Sequence, residues 1–221
     1  MDLEMRRALA RRALAGYASG PDASTLATTR AVERIHQARA MVLVEGISDQ
    51  IAVEAAAVSR GRDLGVEGIV VVPIGGAHAI RRFLTTLRPP GPTLRLAALC
   101  DLREEGIFRR ALAMPQVTAP GPPSDLEYVG LFVCVDDLED ELVRAVGAAR
   151  VEALFESQAD LTSYRSLQTQ PARRGRDPQA QMRRFLGSGS GRKLRYARLL
   201  VEEAAVRAAL PPPLDALLET V

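Results

Sequence analysis

The amino-acid sequence predicts an α/β fold, in which a four-stranded, mainly parallel sheet is flanked by helices. The first observation is that four short apolar runs are each typical of a strand buried on both faces: residues 41–45, 68–74, 94–100 and 128–135. The second is that helix-like stretches separate these runs: residues 48–60, 77–88 and 104–113. Strands that alternate with helices form βαβ units, and the strands of such units are parallel.

Helical segments are expected on both sides of this core, which divides the chain into three regions. Residues 1–39 are predicted to form two N-terminal helices, Asp2–Tyr17 and Thr25–Arg39, and residues 40–136 the α/β core. Residues 137–221 are predicted to form a helical part that packs on the core, with these helical stretches: Asp137–Val146, Ala148–Gln158, Leu161–Gln168, Pro178–Leu186 and Arg192–Ala209. The tail from Pro211 is expected to be a short apolar turn docked on the body.

The composition permits a sizeable core and excludes some kinds of site. Hydrophobic residues make up 47% of the chain and aromatic residues only 4%, so Ala, Leu and Val must supply most of the packing. The formal net charge of +2 gives no bulk signal of nucleic-acid binding, so any such surface must be local. Cys100 and Cys134 both end apolar runs and are expected in the core, which argues against a disulfide or a zinc site. Neither a signal peptide nor a membrane-spanning apolar stretch is found, so we expect a cytoplasmic protein.

Acidic residues lie at the ends of two predicted strands. Glu45 ends the first strand, Asp49 follows it by one helical turn, and Asp101 closes the third strand. Ser48 is expected to cap the helix that begins near Asp49. Because the carboxyl ends of parallel strands meet at one edge, where such sheets bind ligands, these carboxylates predict a site for Mg²⁺ or Mn²⁺. The alternative for Asp49 and Asp101 is that each only stabilises the start of a helix.

A further acidic cluster directly follows the fourth strand, in the sequence Asp136-Asp137-Leu138-Glu139-Asp140-Glu141. Five acids in six residues repel one another unless cations or arginines compensate them. A capped and solvated helix start explains any one of these acids on its own. Acids at three strand ends are a stronger signal of a shared site than any single acid.

The helical half of the chain carries several basic pairs, and the only lysine among its 29 basic residues is Lys193. Four arginines are candidates for binding a polyphosphate backbone, although solvated surface arginines are the alternative: Arg173, Arg174, Arg192 and Arg195. The glycine-rich segment before Lys193 differs from a P-loop, because Arg192 replaces the required glycine and Leu194 the required Ser or Thr. ATP hydrolysis by this chain is therefore not expected.

The ordered motifs resemble a known family. The segment Val42-Leu43-Val44-Glu45-Gly46-Ile47-Ser48-Asp49 resembles the first signature of Toprim domains, the metal-binding fold of topoisomerases, bacterial primases and OLD-family nucleases. Four later features resemble the OLD branch, over roughly residues 40–200: Gly75-Gly76, Asp101, Asp137-Leu138-Glu139 and Lys193. The chain is similar to stand-alone actinobacterial proteins of the Toprim nucleotidyl transferase/hydrolase class.

The resemblance implies a Rossmann-like Toprim core and a two-metal hydrolysis of phosphodiester bonds in DNA. It implies Glu45, Asp49, Asp101 and Glu139 as ligands of Mg²⁺ or Mn²⁺. It also implies that Lys193 acts with Glu45 and Asp101 in catalysis, by neutralising charge on the transition-state phosphate.

The chain departs from the family pattern at two points. Arg103 stands where the second acid of the Asp-x-Asp motif is expected, which leaves Glu104 or Glu105 as possible substitutes. The ABC-type ATPase of OLD proteins has no counterpart here, so coupling to ATP would require a separate ATPase chain. Two alternatives therefore stay open. One is a non-catalytic Toprim module that binds nucleic acid, nucleotide or a partner ATPase, and the other is a nucleotidyl transferase.

Overall fold

Four parallel strands form the sheet, in the spatial order β2-β1-β3-β4. Their bounds are β1 Ala40–Val44, β2 Ile69–Pro73, β3 Leu94–Asp101 and β4 Leu126–Cys134. The computed structural model describes residues 8, 14–18, 20–87, 94–114, 126–171 and 175–221. All pairings are parallel, and Asp101 at the end of β3 is in register with Cys134 at the end of β4. The sheet class predicted from the apolar runs is confirmed.

Ten α-helices surround the sheet within the described residues: α1 Ala23–Ile35, α2 Ile47–Ser59, α3 Ile80–Thr86, α4 Glu105–Leu112, α5 Leu138–Val146, α6 Ala148–Ser157, α7 Leu161–Thr169, α8 Pro178–Leu186, α9 Ser190–Val206 and α10 Pro212–Thr220. A short 3₁₀ helix, Ala77–Ala79, precedes α3. No helix in this part of the chain combines the length and apolar character that a membrane span requires.

Both faces of the sheet are covered, because side chains alternate along each buried strand. Met41 and Leu43 of β1 pack with α3 and α4 on one face. Val42 and Val44 pack with α2, α9 and α10 on the other. Cys100 and Cys134 are buried and free, as expected of core residues.

Aromatic residues of four helices pack together in the C-terminal part of the chain. The rings of Phe155, Tyr164, Phe185 and Tyr196 come from α6, α7, α8 and α9, and their contacting centroids are 4.9 to 5.3 Å apart. Such tilted and edge-on pairs are favourable geometries for aromatic rings. This aromatic cluster fixes α8 and α9 relative to each other.

Three local expectations need correction. Ser48 does not cap α2; the helix begins at Ile47, and the carboxylate of Asp49 accepts a hydrogen bond from the Gly46 N–H. The tail from Pro211 is the helix α10 and not a short turn, because prolines favour the first turn of a helix. The second N-terminal helix, expected over Thr25–Arg39, spans Ala23–Ile35. Most of the predicted helix Asp2–Tyr17 lies outside the described residues.

Candidate functional site

Glu45 connects the ends of three neighbouring strands. It directly follows β1, and its backbone carbonyl accepts a hydrogen bond of 2.8 Å from the N–H of Gly76, after β2. Its carboxylate accepts a hydrogen bond of 3.2 Å from the backbone N–H of Asp101, at the end of β3. Glu45 is half-buried, and burial raises the pKa of its carboxyl group. The side chain therefore points along the carboxyl edge and toward Asp101.

Asp49 lies one turn into α2, on the same edge. Its carboxylate accepts a hydrogen bond of 2.9 Å from the Gly46 N–H. Burial raises the pKa of Asp49 to about 6, although the Lys193 ammonium and the Gly46 N–H both favour its ionised form. Asp49 thus stabilises the first turn of α2 and interacts electrostatically with Lys193 and Glu45.

Asp101 is the most perturbed acid of this edge. Burial raises the pKa of its carboxyl group to about 8, and four neighbouring acids contribute in the same direction: Glu45, Asp49, Asp137 and Glu139. Repulsion of this kind falls off steeply with distance, so these carboxylates share one region of the structure. Perturbed carboxyl groups at the ligand-binding edge of a parallel sheet are typical of functional sites.

Lys193 brings the opposite charge to the cluster. Its ammonium lies 3.2 Å from a carboxylate oxygen of Glu139, which is buried at the start of α5. Burial raises the pKa of Glu139 to about 7 against the opposing influence of Lys193. Burial also lowers the pKa of Lys193, but the charges of Glu139 and Asp49 outweigh it and raise this pKa above its ordinary value. Lys193 is therefore charged at neutral pH and faces the acids, although it is about 90 residues beyond Asp101 in the sequence.

The other acids that follow β4 are compensated by arginines. Asp137 caps α5 by accepting a hydrogen bond from the Asp140 N–H, and its second oxygen lies 2.5 Å from Arg183 of α8. Arg144 forms ion pairs with both Asp140 and Glu141. The five acids in this segment thus reach a stable arrangement through basic residues of their own and other helices.

The donor set suits a hard divalent cation, because Mg²⁺ and Mn²⁺ prefer carboxylate oxygens. Within the described residues, however, no three acidic, histidine or cysteine side chains meet closely enough to hold a metal ion. Glu45, Asp49 and Glu139 each take a hydrogen bond or ion pair from a donor of the protein. The mutual repulsion that raises their pKa values is the kind of energy that a bound cation would offset.

A cavity of about 580 Å³ opens beside Glu139 and Asp137. Acidic and basic residues of α5, α8 and α9 line it together with the turn after β3: Arg103, Asp137, Glu139, Ala180, Arg183, Arg184, Gly187 and Lys193. The volume lies within the range of about 300–1,000 Å³ that is common for ligand sites. Lys193 and Glu139 therefore face a space large enough for a nucleotide-sized group.

Two of the four arginines predicted to bind nucleic acid lie within the described residues, and both have partners in the protein. Arg195 is buried and its guanidinium forms an ion pair with Asp160, so the prediction of a phosphate contact at Arg195 is not supported. Arg192 stacks on Phe185, with 4.0 Å to the ring centroid, and donates a hydrogen bond of 2.6 Å to Ser188. Arg173 and Arg174 lie outside the described residues. Local charge density in the sequence cannot separate a structural arginine from a ligand-binding one.

Comparison with known proteins gives a family match for one segment of the chain. Residues 38–102, which run from just before β1 to the turn after Asp101, match the family model of the TOPRIM domain of overcoming lysogenization defect (OLD) protein-like proteins. Residues 38–102 are thus an OLD-like Toprim domain. No curated protein matches the sequence at a significant level.

Solved structures with the same fold extend beyond the Toprim domain. The C-terminal region of the Xanthomonas campestris pv. campestris OLD protein is 23% identical, with a TM-score of 0.50, and the alignment covers 82% of this chain and 97% of that one. The C-terminal region of the Burkholderia pseudomallei OLD protein is 19% identical, with a TM-score of 0.51 and coverages of 81% and 98%. The likeness therefore covers the Toprim sheet and most of the helices that follow it.

Proposed function

We propose that this chain is a nuclease that hydrolyses phosphodiester bonds in DNA with Mg²⁺ or Mn²⁺ at the carboxyl edge of its Toprim sheet. One observation carries the proposal: four mutually repelling carboxylates, Glu45, Asp49, Asp101 and Glu139, share this edge with the Lys193 ammonium. The match of residues 38–102 to the OLD-like Toprim family supports it, since Toprim domains generally bind divalent metals. The cavity that Lys193 lines would provide a binding surface for an anionic substrate beside the acids.

The four carboxylates would hold the metal. When bound, the cation supplies Lewis-acid chemistry by lowering the pKa of a water molecule and offsetting the charge of the phosphate. Lys193 is held by Glu139 at 3.2 Å, so its ammonium is oriented before substrate binds and can neutralise charge that grows on the phosphate. Without metal, burial and the neighbouring acids raise the pKa of Asp101 to about 8, so a cation that binds there near neutral pH would displace a proton from Asp101.

The direct test is to incubate the pure protein with supercoiled plasmid and Mg²⁺ or Mn²⁺. Nicking should require the metal, be insensitive to added ATP and disappear in Asp101→Ala. Mn²⁺ is expected to be the better ion, because an incomplete set of carboxylates suits its less demanding coordination. Cleavage that survives both EDTA and Asp101→Ala would contradict the proposal.

Glu33→Gln provides the matched control. Glu33 is an exposed acid on α1 and takes no part in the carboxylate cluster. This variant should nick plasmid at the rate of the wild type. An equal loss of activity in both variants would show that the assay follows protein quality and not the site.

The second candidate is a non-catalytic Toprim module that binds nucleic acid, nucleotide or a partner ATPase. Two observations favour it: Arg103 stands in place of the second acid of the Asp-x-Asp motif, and no three acids meet closely enough to hold a metal ion in the described residues. Mn²⁺ binding by calorimetry without any plasmid nicking would select this candidate over the nuclease.

A further inference from the structure

The cavity beside the carboxylates contains more positive charge than its acids neutralise. Four basic and two acidic residues line it. Arg183 pairs with Asp137 at 2.5 Å, and Lys193 pairs with Glu139 at 3.2 Å. Each lining acid thus has its own partner, which leaves the guanidinium groups of Arg103 and Arg184 uncompensated.

Arg103 is presented by the turn between β3 and α4. It lies two residues after Asp101, is exposed, and makes no hydrogen bond or ion pair with any described residue. The nearby acid Glu105 forms an ion pair of 2.6 Å with Arg109, which lies in α4 as Glu105 does. Where the Toprim motif has an acid, this chain therefore directs a cation into the cavity.

Arg184 is presented by a helix whose position is fixed on both sides. Its neighbour Arg183 binds Asp137 of α5, and Phe185 packs in the aromatic cluster. Asp177 caps the helix by accepting a hydrogen bond of 2.9 Å from the Ala180 N–H. Arg184 itself is exposed and forms no ion pair or hydrogen bond within the described chain. A rigid helix therefore holds this guanidinium at the cavity.

We propose that Arg103 and Arg184 together bind a phosphodiester group of a nucleic-acid strand, next to the carboxylate edge. A guanidinium matches the geometry of a phosphate and can bind two of its oxygens at once. Such a contact also offsets the repulsion between an anionic strand and the carboxylates. The inference rests on the proposed function, because it assigns the substrate strand of the same site.

Binding in EDTA tests this inference apart from catalysis. The probe is a fluorescein-labelled single-stranded DNA of 20 nucleotides, followed by fluorescence anisotropy between 50 and 200 mM NaCl. Arg103→Gln and Arg184→Gln should each weaken binding by about tenfold. Each should also reduce the slope of log affinity against log salt by about 0.7, the value for one phosphate contact on a single strand.

Arg207→Gln is the matched control. Arg207 is also exposed and without a partner among the described residues, but it lies beyond the far end of α9, 14 residues after Lys193. Its variant should bind like the wild type, and Arg103→Lys should keep most of the salt dependence. Far-UV circular dichroism of each variant checks that the fold is retained.

The outcomes separate this inference from the proposed function. Wild-type nicking with undiminished binding by both glutamine variants overturns the inference and leaves the nuclease proposal standing. Loss of binding in both variants, with a wild type that never cleaves DNA, supports the phosphate site and refutes the nuclease. No binding of the probe by the wild type, or its displacement by an equal nucleotide concentration of dAMP, overturns the inference.

Discussion

Asp101 shows how one residue couples the site to the stability of the chain. Its pKa rises from an ordinary value of 3.8 to about 8, first through burial and then through the neighbouring acids. Between these two values the folded chain keeps a proton that the unfolded chain releases. The free energy of unfolding must therefore fall as the pH rises through this range.

Asp101→Asn should remove this loss, because asparagine does not ionise. We expect the variant to melt at the same temperature as the wild type near pH 4 and at a higher temperature at pH 8. Each kcal/mol gained should raise the melting temperature by about 2–4 °C for a chain of this size. Thermal unfolding in EDTA at several pH values measures the difference. A gap that shrinks as the pH rises would contradict this expectation.

Lys193 is the residue that we expect to contribute most to stabilising the negative charge of the transition state. Lys193→Ala should slow plasmid nicking by about 100-fold, the scale on which one preorganised donor acts. Lys193→Arg should restore only part of the rate, since a planar guanidinium does not reproduce the position of an ammonium.

The affinity for Mn²⁺ distinguishes this role from a structural one. Lysine is not a metal ligand, so calorimetry should show that Lys193→Ala binds Mn²⁺ about as well as the wild type. A wild-type rate in Lys193→Ala would show that its ion pair with Glu139 serves only the fold.

The turn after β2 is the structural element that holds the backbone of Glu45 in position. Gly76 has φ of 104° and ψ of 150°, a conformation that is essentially restricted to glycine. Its N–H donates to the Glu45 carbonyl. Gly76→Ala should therefore destabilise the chain by about 1–3 kcal/mol and disturb the edge that carries Glu45. Urea unfolding measures this loss.

Gly191→Ala is the control for this substitution. Gly191 lies in α9 at a negative φ, and an added methyl group would meet nothing within 4 Å. Alanine favours helices, so this variant should be as stable as the wild type or more stable. If both variants lose stability equally, backbone strain at Gly76 is not the cause.

The elements were predictable from the sequence where one local pattern decides them. Continuous apolar runs located all four strands, because strands buried on both faces need apolar residues at every position. The start of α2 was predicted less well, since Ser48 is a good cap but the helix already begins at Ile47, with the Asp49 carboxylate accepting a hydrogen bond from the Gly46 N–H. The tail helix α10 was missed because three consecutive prolines also suit a turn.

The candidate site was predictable only in part, for a related reason. Glu45 and Asp101 could be placed at one edge because they end strands of a parallel sheet. The pairing of Asp137 with Arg183 joins residues 46 apart and depends on how α8 packs on α5. Burial of Arg195 depends likewise on tertiary packing, which no local count of charges reveals.

The whole molecule shares one large core across the regions that the sequence analysis separates. Val42 of β1, Phe155 of α6, Leu200 of α9 and Leu217 of α10 all belong to the same buried cluster. This cluster connects α9, which carries Lys193, to the sheet whose first strand leads into Glu45. The geometry of the site therefore depends on packing that is distant from it.

Phe155→Ala tests whether the sheet and the C-terminal helices unfold together. Phe155 is fully buried and contacts three other rings, so its loss should cost about 3–5 kcal/mol. We expect urea transitions followed by far-UV circular dichroism and by tyrosine fluorescence to coincide and to move together in the variant. Val206→Ala, at a position 85% exposed, should move neither. A fluorescence transition that separates from the circular dichroism transition would show that the chain does not unfold in one cooperative step, and the attachment of Lys193 to the carboxylates would then not depend on the shared core.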